Sequence, residues 1–341
     1  LGGEQGVFPI WPLRLVKNRK DKKMKISLKR VCLHLLTMLL MPFSQASALE
    51  KVSIGLSVPN FGPYAAVYVA DELGYYADEG LEVEITAFRG GSAAQQALAS
   101  DAMDIINYFP PGAAVAIERG VEQKVVAVGA ARPDGWHMMV KSGSDIEKPE
   151  DLNGRRVGIS AKNSTTDYYA LWVGNQYGVE IETVPVGGAG MIPALLSDQV
   201  DAISAFSPLT YRLIVSGDGR SLVDYARDMP PTLPDVWVAS QDIIDEHPEQ
   251  VEGVLRAMYR ATRYMQDNRN YSIDYLREFT GEEDPEVLRL EYEVGIMNRA
   301  TRANIEPEWL KASLGLAGDS GSGTLSPSEV YTDQFADIGA E

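Results

Sequence analysis

The spacing of apolar positions along this chain changes repeatedly, and the order of those changes occurs twice. Val52-Ser53-Ile54-Gly55-Leu56 reads as a short buried strand. From Tyr64 to Leu73 apolar side chains recur three and four residues apart, which predicts a helix, and Gly74 stops it. Leu81-Glu82-Val83-Glu84-Ile85 then alternates at period two, as a half-buried strand does. Farther on, Val157-Gly158-Ile159-Ser160, a polar loop, a helical stretch from Thr166 to Tyr177 stopped at Gly178, and a strand from Val179 to Val184 give the same order.

The segment after each of these strands repeats almost letter for letter. Gly90 to Pro111 and Gly187 to Pro208 align at a constant offset of 97 with 10 of 22 positions identical. Each copy reads Gly-Gly, an apolar helix, a Ser-Asp turn (Ser100-Asp101, Ser197-Asp198), then a short strand ending in Phe and Pro. Such spacing is too long for a solenoid repeat. It predicts two similar α/β lobes with parallel strands and right-handed crossovers, and a cleft between them where a small ligand would sit. The alternative is one sheet containing two similar turns.

Val125 to Ala130 and Trp136 to Val140, broken at Arg132-Pro133-Asp134-Gly135, predict one crossing between the lobes. The return is expected at Val236-Trp237-Val238-Ala239-Ser240, after the Pro-rich Met229 to Pro234. These expectations divide the chain into 49–134 with 237–341 as lobe one and 135–236 as lobe two. Two crossings would make the lobes a hinged pair. Amphipathic helices follow at Pro248–Asp267, Asn270–Phe279 and Pro285–Asn298, and Tyr331 to Phe335 is expected to close the structure. The one linker-like stretch is Gly315 to Gly323; Gly318-Asp319-Ser320-Gly321 within it has no matching His and Asp context and reads as a turn.

Composition changes the picture at the N-terminus. From Met24, basic MKISLKR, apolar VCLHLLTMLLMPF and an Ala46-Ser47-Ala48 site form the pattern of a secretory signal peptide cut after Ala48, with residues 1–23 upstream of a natural start. The first 48 residues carry nine Lys/Arg and two Asp/Glu, so the remainder has a net charge of −24 (−17 less +7). The only cysteine, Cys32, falls in that leader, which excludes disulfides and thiol chemistry from the exported part. So acidic a chain is unsuited to nucleic acid. After the leader no apolar run approaches membrane-spanning length, and a soluble monomer in the periplasm is expected.

Three strings carry a family resemblance. DELGYYADEGLEVEI (Asp71 to Ile85), KPEDLNGRRVGIS (Lys148 to Ser160) and HPEQVEGVLRAMYRATRYMQDN (His247 to Asn268) occur in order over residues 50 to 341. They resemble periplasmic substrate-binding proteins of ABC importers, in the group that serves nitrate, alkanesulfonates, taurine and thiamine-pyrimidine precursors. The resemblance implies the bilobal periplasmic-binding-protein fold of class α/β, with two crossing strands, a hinge and a cleft. It also implies a small-molecule solute, a cognate permease in the inner membrane and no cofactor. A small organic anion of the sulfonate, taurine or nitrate type is the expected solute. A neutral aromatic heterocycle, such as a thiamine-pyrimidine precursor or a flavin, is the alternative. A ligand-binding sensor would share the same sequence features. Similar folds serve as thiamine-pyrimidine synthases, but those carry a Cys-rich iron motif that this chain cannot form.

Ligands of open α/β sheets sit beyond the carboxyl ends of the strands, and six loops meet that condition. From lobe one come Asn60, Phe61 and Tyr64; Arg89, Gly91 and Ser92; and Phe109. From lobe two come Asn163, Ser164, Thr165 and Thr166; Gly188; and Phe206, with Trp136 and His137 on the crossing. Ser164 followed by Asp167 fits a helix cap whose free N–H groups favour an acceptor-rich ligand; the resemblance implies that Ser164 and Thr165 also bond the solute. Arg89 is the candidate partner for a sulfonate or carboxylate, and the aromatic residues are candidate walls. Outside the leader the only histidines are His137 and His247, far apart in sequence, so neither a zinc site nor a catalytic set is expected. No phosphate-cradling glycine motif occurs.

Overall fold

Two five-stranded sheets hold the two copies of the pattern. The protein is described from a computed structural model, which covers residues 48–316 and 325–340. The expected leader up to residue 47 and the Gly318-Asp319-Ser320-Gly321 turn lie outside the described residues.

The first sheet contains β1 (Glu50–Leu56), β2 (Leu81–Ala87), β3 (Ile105–Tyr108) and β4 (Gln123–Ala130), joined by α1 (Ala65–Glu72), α2 (Gly91–Ala99) and α3 (Pro110–Glu118). The second contains β5 (His137–Lys141), β6 (Arg155–Ile159), β7 (Ile181–Pro185), β8 (Ala202–Ala205) and β9 (Gly219–Asp224), with α4 (Thr165–Tyr177), α5 (Met191–Leu196) and α6 (Leu209–Ser216). β10 (Asp235–Ser240) then returns to the first sheet, and α7 (Pro248–Asp267) and α8 (Arg269–Thr280) follow. Strand order is β2-β1-β3-β10-β4 in one sheet and β7-β6-β8-β5-β9 in the other. The first three strands of each order pair in parallel. The fourth is antiparallel to both its neighbours. In each lobe that fourth strand is the first one laid down after the chain crosses over, so the lobes share one topology. This is the bilobal periplasmic-binding-protein fold.

The repeat extends to individual hydrogen bonds. Asp101 and Asp198, in the two Ser-Asp turns, both adopt left-handed backbone, with φ of 57° and 60°. Beyond them, Ala102 N–H donates to Ala97 O and Gln199 N–H to Ala194 O, both at 2.9 Å. Asp104 Oδ2 then accepts from Ser53 N and Asp201 Oδ2 from Arg156 N, at 2.7 and 2.8 Å. An aspartate after each turn thus pins the start of its strand to the parallel strand beside it, β1 in one lobe and β6 in the other.

Four expectations need correction. Pairing is not parallel throughout, because the crossing strands enter antiparallel. The return crossing comes earlier than Val236–Ser240, which lies wholly inside the first sheet between β3 and β4. The Pro-rich 229–234 segment makes the passage instead, since prolines lack the N–H groups a sheet interior requires. Pro110 and Pro111, read as a strand end, open α3, where an N-terminal proline leaves no donor unsatisfied. Finally, the single helix expected from Pro285 to Asn298 is α-helical only to Leu290 and π-helical over Glu291–Ile296. β9 was not foreseen, because its partly exposed residues show no clean alternation. Phe335 is 1% exposed and Thr332 N–H donates to Val125 O, so the C-terminal segment does close against the first lobe.

Burial alone would raise the Asp201 carboxyl, but its bonds from Arg156 outweigh burial and hold it below the usual carboxylate range. A depressed folded-state value stabilises above the ordinary carboxylate pKa and is lost as pH falls through the folded one. Asp201→Asn is therefore expected to cost about 1.5 kcal/mol at pH 7. Urea denaturation should show the gap between variant and wild type narrowing as pH falls below the ordinary carboxylate value.

Candidate functional site

The carboxyl ends of the strands in both sheets converge on a cavity of about 30 Å³. Ser57, Val58, Phe61, Tyr64, Gly91, Asn107 and Tyr108 line it from the first lobe. Ser160, Ser164, Thr165, Thr166 and Phe206 line it from the second, and Trp136, Pro234 and Asp235 from the crossings. A volume near 30 Å³ is about one water's share of the liquid, whereas ligand pockets run to roughly 300–1,000 Å³. The lobes are therefore closed on each other.

What fills the closed cleft is aromatic. Phe61 of the first lobe meets Phe206 of the second edge-on at 5.3 Å between ring centroids, and Trp136 lies 5.3 Å from Phe206. Phe61 to Trp136 is 6.1 Å. Three rings from three parts of the chain thus touch, all at most 9% exposed. A planar solute inserted among them exchanges ring–ring contact for ring–solute contact at little cost. Gly91 is required here by space: a Cβ on it would come within 2.6 Å of the Tyr108 ring.

Hydroxyl groups form the second wall. Ser160, Ser164 and Thr166 bond one another through their side-chain oxygens at 2.8 to 3.0 Å. Ser160 N–H also donates to Thr166 Oγ1 at 2.9 Å. The expected capping arrangement is altered: Ser164 has the extended backbone of an N-cap, but its hydroxyl turns to Ser160 and Thr166 rather than to the helix. Asp167 Oδ2 accepts from Asn163 N at 2.8 Å instead. Asp167 N–H and Tyr168 N–H reach Ser164 O. That leaves the N–H groups of Thr165 and Thr166 at the helix start, on the cavity wall and aligned with the positive end of α4.

The third side is a buried polar chain. Tyr64 OH donates to Asn107 Oδ1 at 2.7 Å, and Asn107 Nδ2 donates to Asp235 Oδ1 at 2.9 Å. Arg299 grips Asp235 with both terminal nitrogens, at 2.8 and 3.0 Å. Gly129 lets that carboxylate in, since a Cβ there would lie 1.7 Å from Asp235 Oδ1. Burial, with Asp235 nearby, pushes the Tyr64 phenol well above its ordinary value, so it stays a neutral donor. No Lys, Arg or His is among the lining residues.

Eight of the fifteen residues expected at the site line the cavity: Phe61, Tyr64, Gly91, Trp136, Ser164, Thr165, Thr166 and Phe206. The other seven sit elsewhere. Asn60 and Arg89 are exposed. Ser92 donates across the cleft mouth to Lys162 O at 2.7 Å, and Asn163 O accepts from Tyr108 OH at 3.1 Å, so both positions latch the lobes. Phe109 is fully buried against Tyr168 and Tyr169. His137 shares a hydrogen bond with Ser221 at 2.9 Å, and burial pushes its imidazole below the usual value against the pull of Asp224. Gly188 begins a 3₁₀ turn before α5, whereas Gly91 opens α2 directly, so the second Gly-Gly stands farther back. Not among the expected fifteen were Ser57, Val58, Asn107, Tyr108, Ser160, Pro234 and Asp235. A polar residue inside an otherwise apolar strand, as Asn107 is, was the available signal. His247, exposed, lies beside Glu50 and Glu249 with donor atoms within 4.8 Å of one another, at the surface.

Comparison with known proteins follows from this geometry. Residues 62–270 match the family described as NMT1/THI5 like. The formylaminopyrimidine-binding protein of Halalkalibacterium halodurans is 25% identical over 245 residues, spanning 68% of this chain and 72% of that one. A solved structure from Bordetella bronchiseptica RB50 superposes with a TM-score of 0.74 at 24% identity, over 85% of this chain and 96% of its own. The alkanesulfonate-binding protein SsuA from Xanthomonas axonopodis pv. citri, bound to MOPS, gives 0.70 at 19% identity, over 85% and 96%. The two structural likenesses establish the fold.

Removing one partner of the Asp235–Arg299 pair leaves a buried, uncompensated charge. Arg299→Met is expected to cost about 3–5 kcal/mol. Equilibrium unfolding in urea at pH 7 checks this; a loss under about 1 kcal/mol would mean the pair contributes no more than a surface bridge.

Proposed function

The chain belongs to the NMT1/THI5-like family, and from that premise we propose that it is the extracytoplasmic solute-binding component of an ABC importer. It captures one small solute between two lobes, 49–134 with 235–341 and 135–234, each built on one of the two sheets. The hinge lies in the two crossing segments. The first crossing is tied to the end of the second lobe, just before the return, where Tyr225 N–H donates to Trp136 O and Arg132 to Ala226 O. No helix among the described residues is long and apolar enough to cross a membrane. The closed, loaded form is the one a permease would recognise, because the solute can shift the lobe equilibrium only through its higher affinity for the closed state.

The solute we infer is a neutral aromatic heterocycle of pyrimidine size. One observation carries this: a cleft walled by Phe61, Trp136 and Phe206 contains no cationic side chain and does contain a carboxylate. A fully charged sulfonate would have to give up its hydration against hydroxyls and two backbone N–H groups alone. A heterocycle instead stacks on the rings, accepts from Thr165 and Thr166 N–H, and presents an amino hydrogen to the Tyr64–Asn107–Asp235 side. The formylaminopyrimidine-binding relative supports the same reading. An anion of the taurine or nitrate type is the second reading, favoured by the start of α4.

Titration calorimetry with a formylaminopyrimidine, taurine, methanesulfonate and nitrate decides between them. We expect the pyrimidine alone to bind. Phe206→Ala should weaken it about tenfold, about 1.4 kcal/mol of ring contact, and Arg89→Ala should leave it unchanged. Binding of the sulfonates without the pyrimidine would overturn the heterocycle reading. Loss of binding in Arg89→Ala would overturn the placement of the site.

A further inference from the structure

Among the described residues, one carboxyl group is buried with neither oxygen hydrogen-bonded. Glu291 is 0% exposed and neither carboxyl oxygen makes a hydrogen bond. It opens the π-helical turn Glu291–Ile296, where the helix from Pro285 loses its regular ladder. Its carboxyl is pressed against Gly62, at which a Cβ would stand 2.0 Å from Glu291 Oε2. Gly62 directly follows Phe61, the ring that meets Phe206 across the cleft.

The groups that act on Glu291 come from the other lobe as well as its own. Ser207 and Arg212, on either side of the start of α6, both lower the Glu291 carboxyl, Ser207 through its nearby hydroxyl, which is not in hydrogen-bond geometry, and Arg212 through its charge, while Glu282 raises it. Arg212 and Glu282 are paired with each other, so neither charge is free to compensate Glu291. Tyr211 of α6 feels the Glu291 carboxyl, and its own hydroxyl is buried without a hydrogen bond. Asp134 and Asp224 act on Tyr211 from the crossing and from the end of β9. The 3₁₀ turn Gly62–Tyr64 contributes Tyr64 as its only titratable side chain, already bonded to Asn107. From α8 it is Leu276 that packs against Gly62. Burial is the largest influence and pushes the Glu291 carboxyl up to about 7.

We propose that closing the cleft binds a proton at Glu291: its side chain is neutral while the lobes are shut and ionised when they part. In the open form Ser207, Tyr211 and Arg212 move away with the second lobe and water reaches the carboxylate. On closure that water is expelled, and one proton from solvent joins one carboxylate oxygen. Solute capture is then proton-linked. The inference rests on the closing-cleft reading above but on no particular solute.

The sign follows from linkage. A carboxyl whose value is higher in the closed state favours closure fully below its open-state value, and this advantage is lost as pH rises to the closed-state one. The closure constant should fall by up to about tenfold per pH unit between about pH 5 and 7, and level off above.

Two measurements on the solute-free protein test this. Infrared difference spectra between pH 6 and 8 should show the C=O band of a protonated buried carboxyl, absent in Glu291→Gln. Small-angle scattering from pH 5 to 8.5 should show the radius of gyration growing with pH in wild type and staying small in Glu291→Gln. Absence of the band in wild type overturns the proposal, as does a radius that ignores pH or one that grows equally in the variant. Where Glu291→Gln does not fold, Glu291→Met removes the same ionisation. Failure of the pyrimidine to bind leaves these outcomes unaffected, so the two readings fail separately.

Discussion

Asp235 occupies the point where the return crossing ends and β10 begins, and the site is organised around its carboxylate. Nothing so deeply buried keeps a charge without compensation, because moving it from water into protein costs several kcal/mol after relaxation. Arg299 supplies two charge-assisted bonds, Asn107 a third, and Gly129 the room. Three separate regions of sequence are thereby fixed to one another: the strand that ends at Tyr108, the crossing, and the segment after the C-terminal helices. Tyr64 is oriented through Asn107, and Phe61 is placed by the turn that carries Tyr64. The aromatic wall therefore inherits its position from an ion pair it never touches.

Much of the architecture was legible because it was written twice. The 97-residue repeat pointed to two lobes, and each lobe reproduces the same turn, the same left-handed Asp and the same aspartate anchoring its strand to a parallel neighbour. Gly74 and Gly178 end their helices as read, with positive φ in both. What the pattern lacked was the partner of each crossing strand. β5 and β10 insert beside strands more than fifty residues away, and periodicity within a segment says nothing about which edge will receive it. β9 failed for a simpler reason: as a partly exposed edge it has too little apolar alternation to announce itself.

The site was legible only where a loop announced itself by composition. Ser164 to Thr166 stood out as a run of hydroxyls before a helix, and the aromatic residues stood out at strand ends. Arg89 looked important as a cation able to pair with a sulfonate or carboxylate, yet it is exposed and off the cavity wall. Asp235 looked like one more acid in a chain with 48 of them. Its role depends on Arg299, 64 residues later, and on a glycine in a neighbouring strand. Buried charge pairs have no local signature, since each half reads as surface until the other is found.

Asp235 and Glu291 are both buried beside the cleft, and their contrasting surroundings separate their roles. Burial raises any carboxyl; nearby cations and donors lower it. Asp235 accepts bonds from Arg299 and Asn107 and holds strands together within the first lobe. Glu291 accepts none: the one cation in reach is already committed to Glu282, and Ser207 offers no bond in proper geometry. A fully satisfied carboxylate rigidifies what it touches, while an unsatisfied one raises the energy of whichever conformation buries it as an ion. Glu291 is buried by surfaces from both lobes, so its energy is coupled to the hinge rather than to the stability of either lobe alone. A site that must release its solute benefits from a closed state that is not too stable, and an unpartnered carboxyl at the seam provides that without altering a single group that faces the solute.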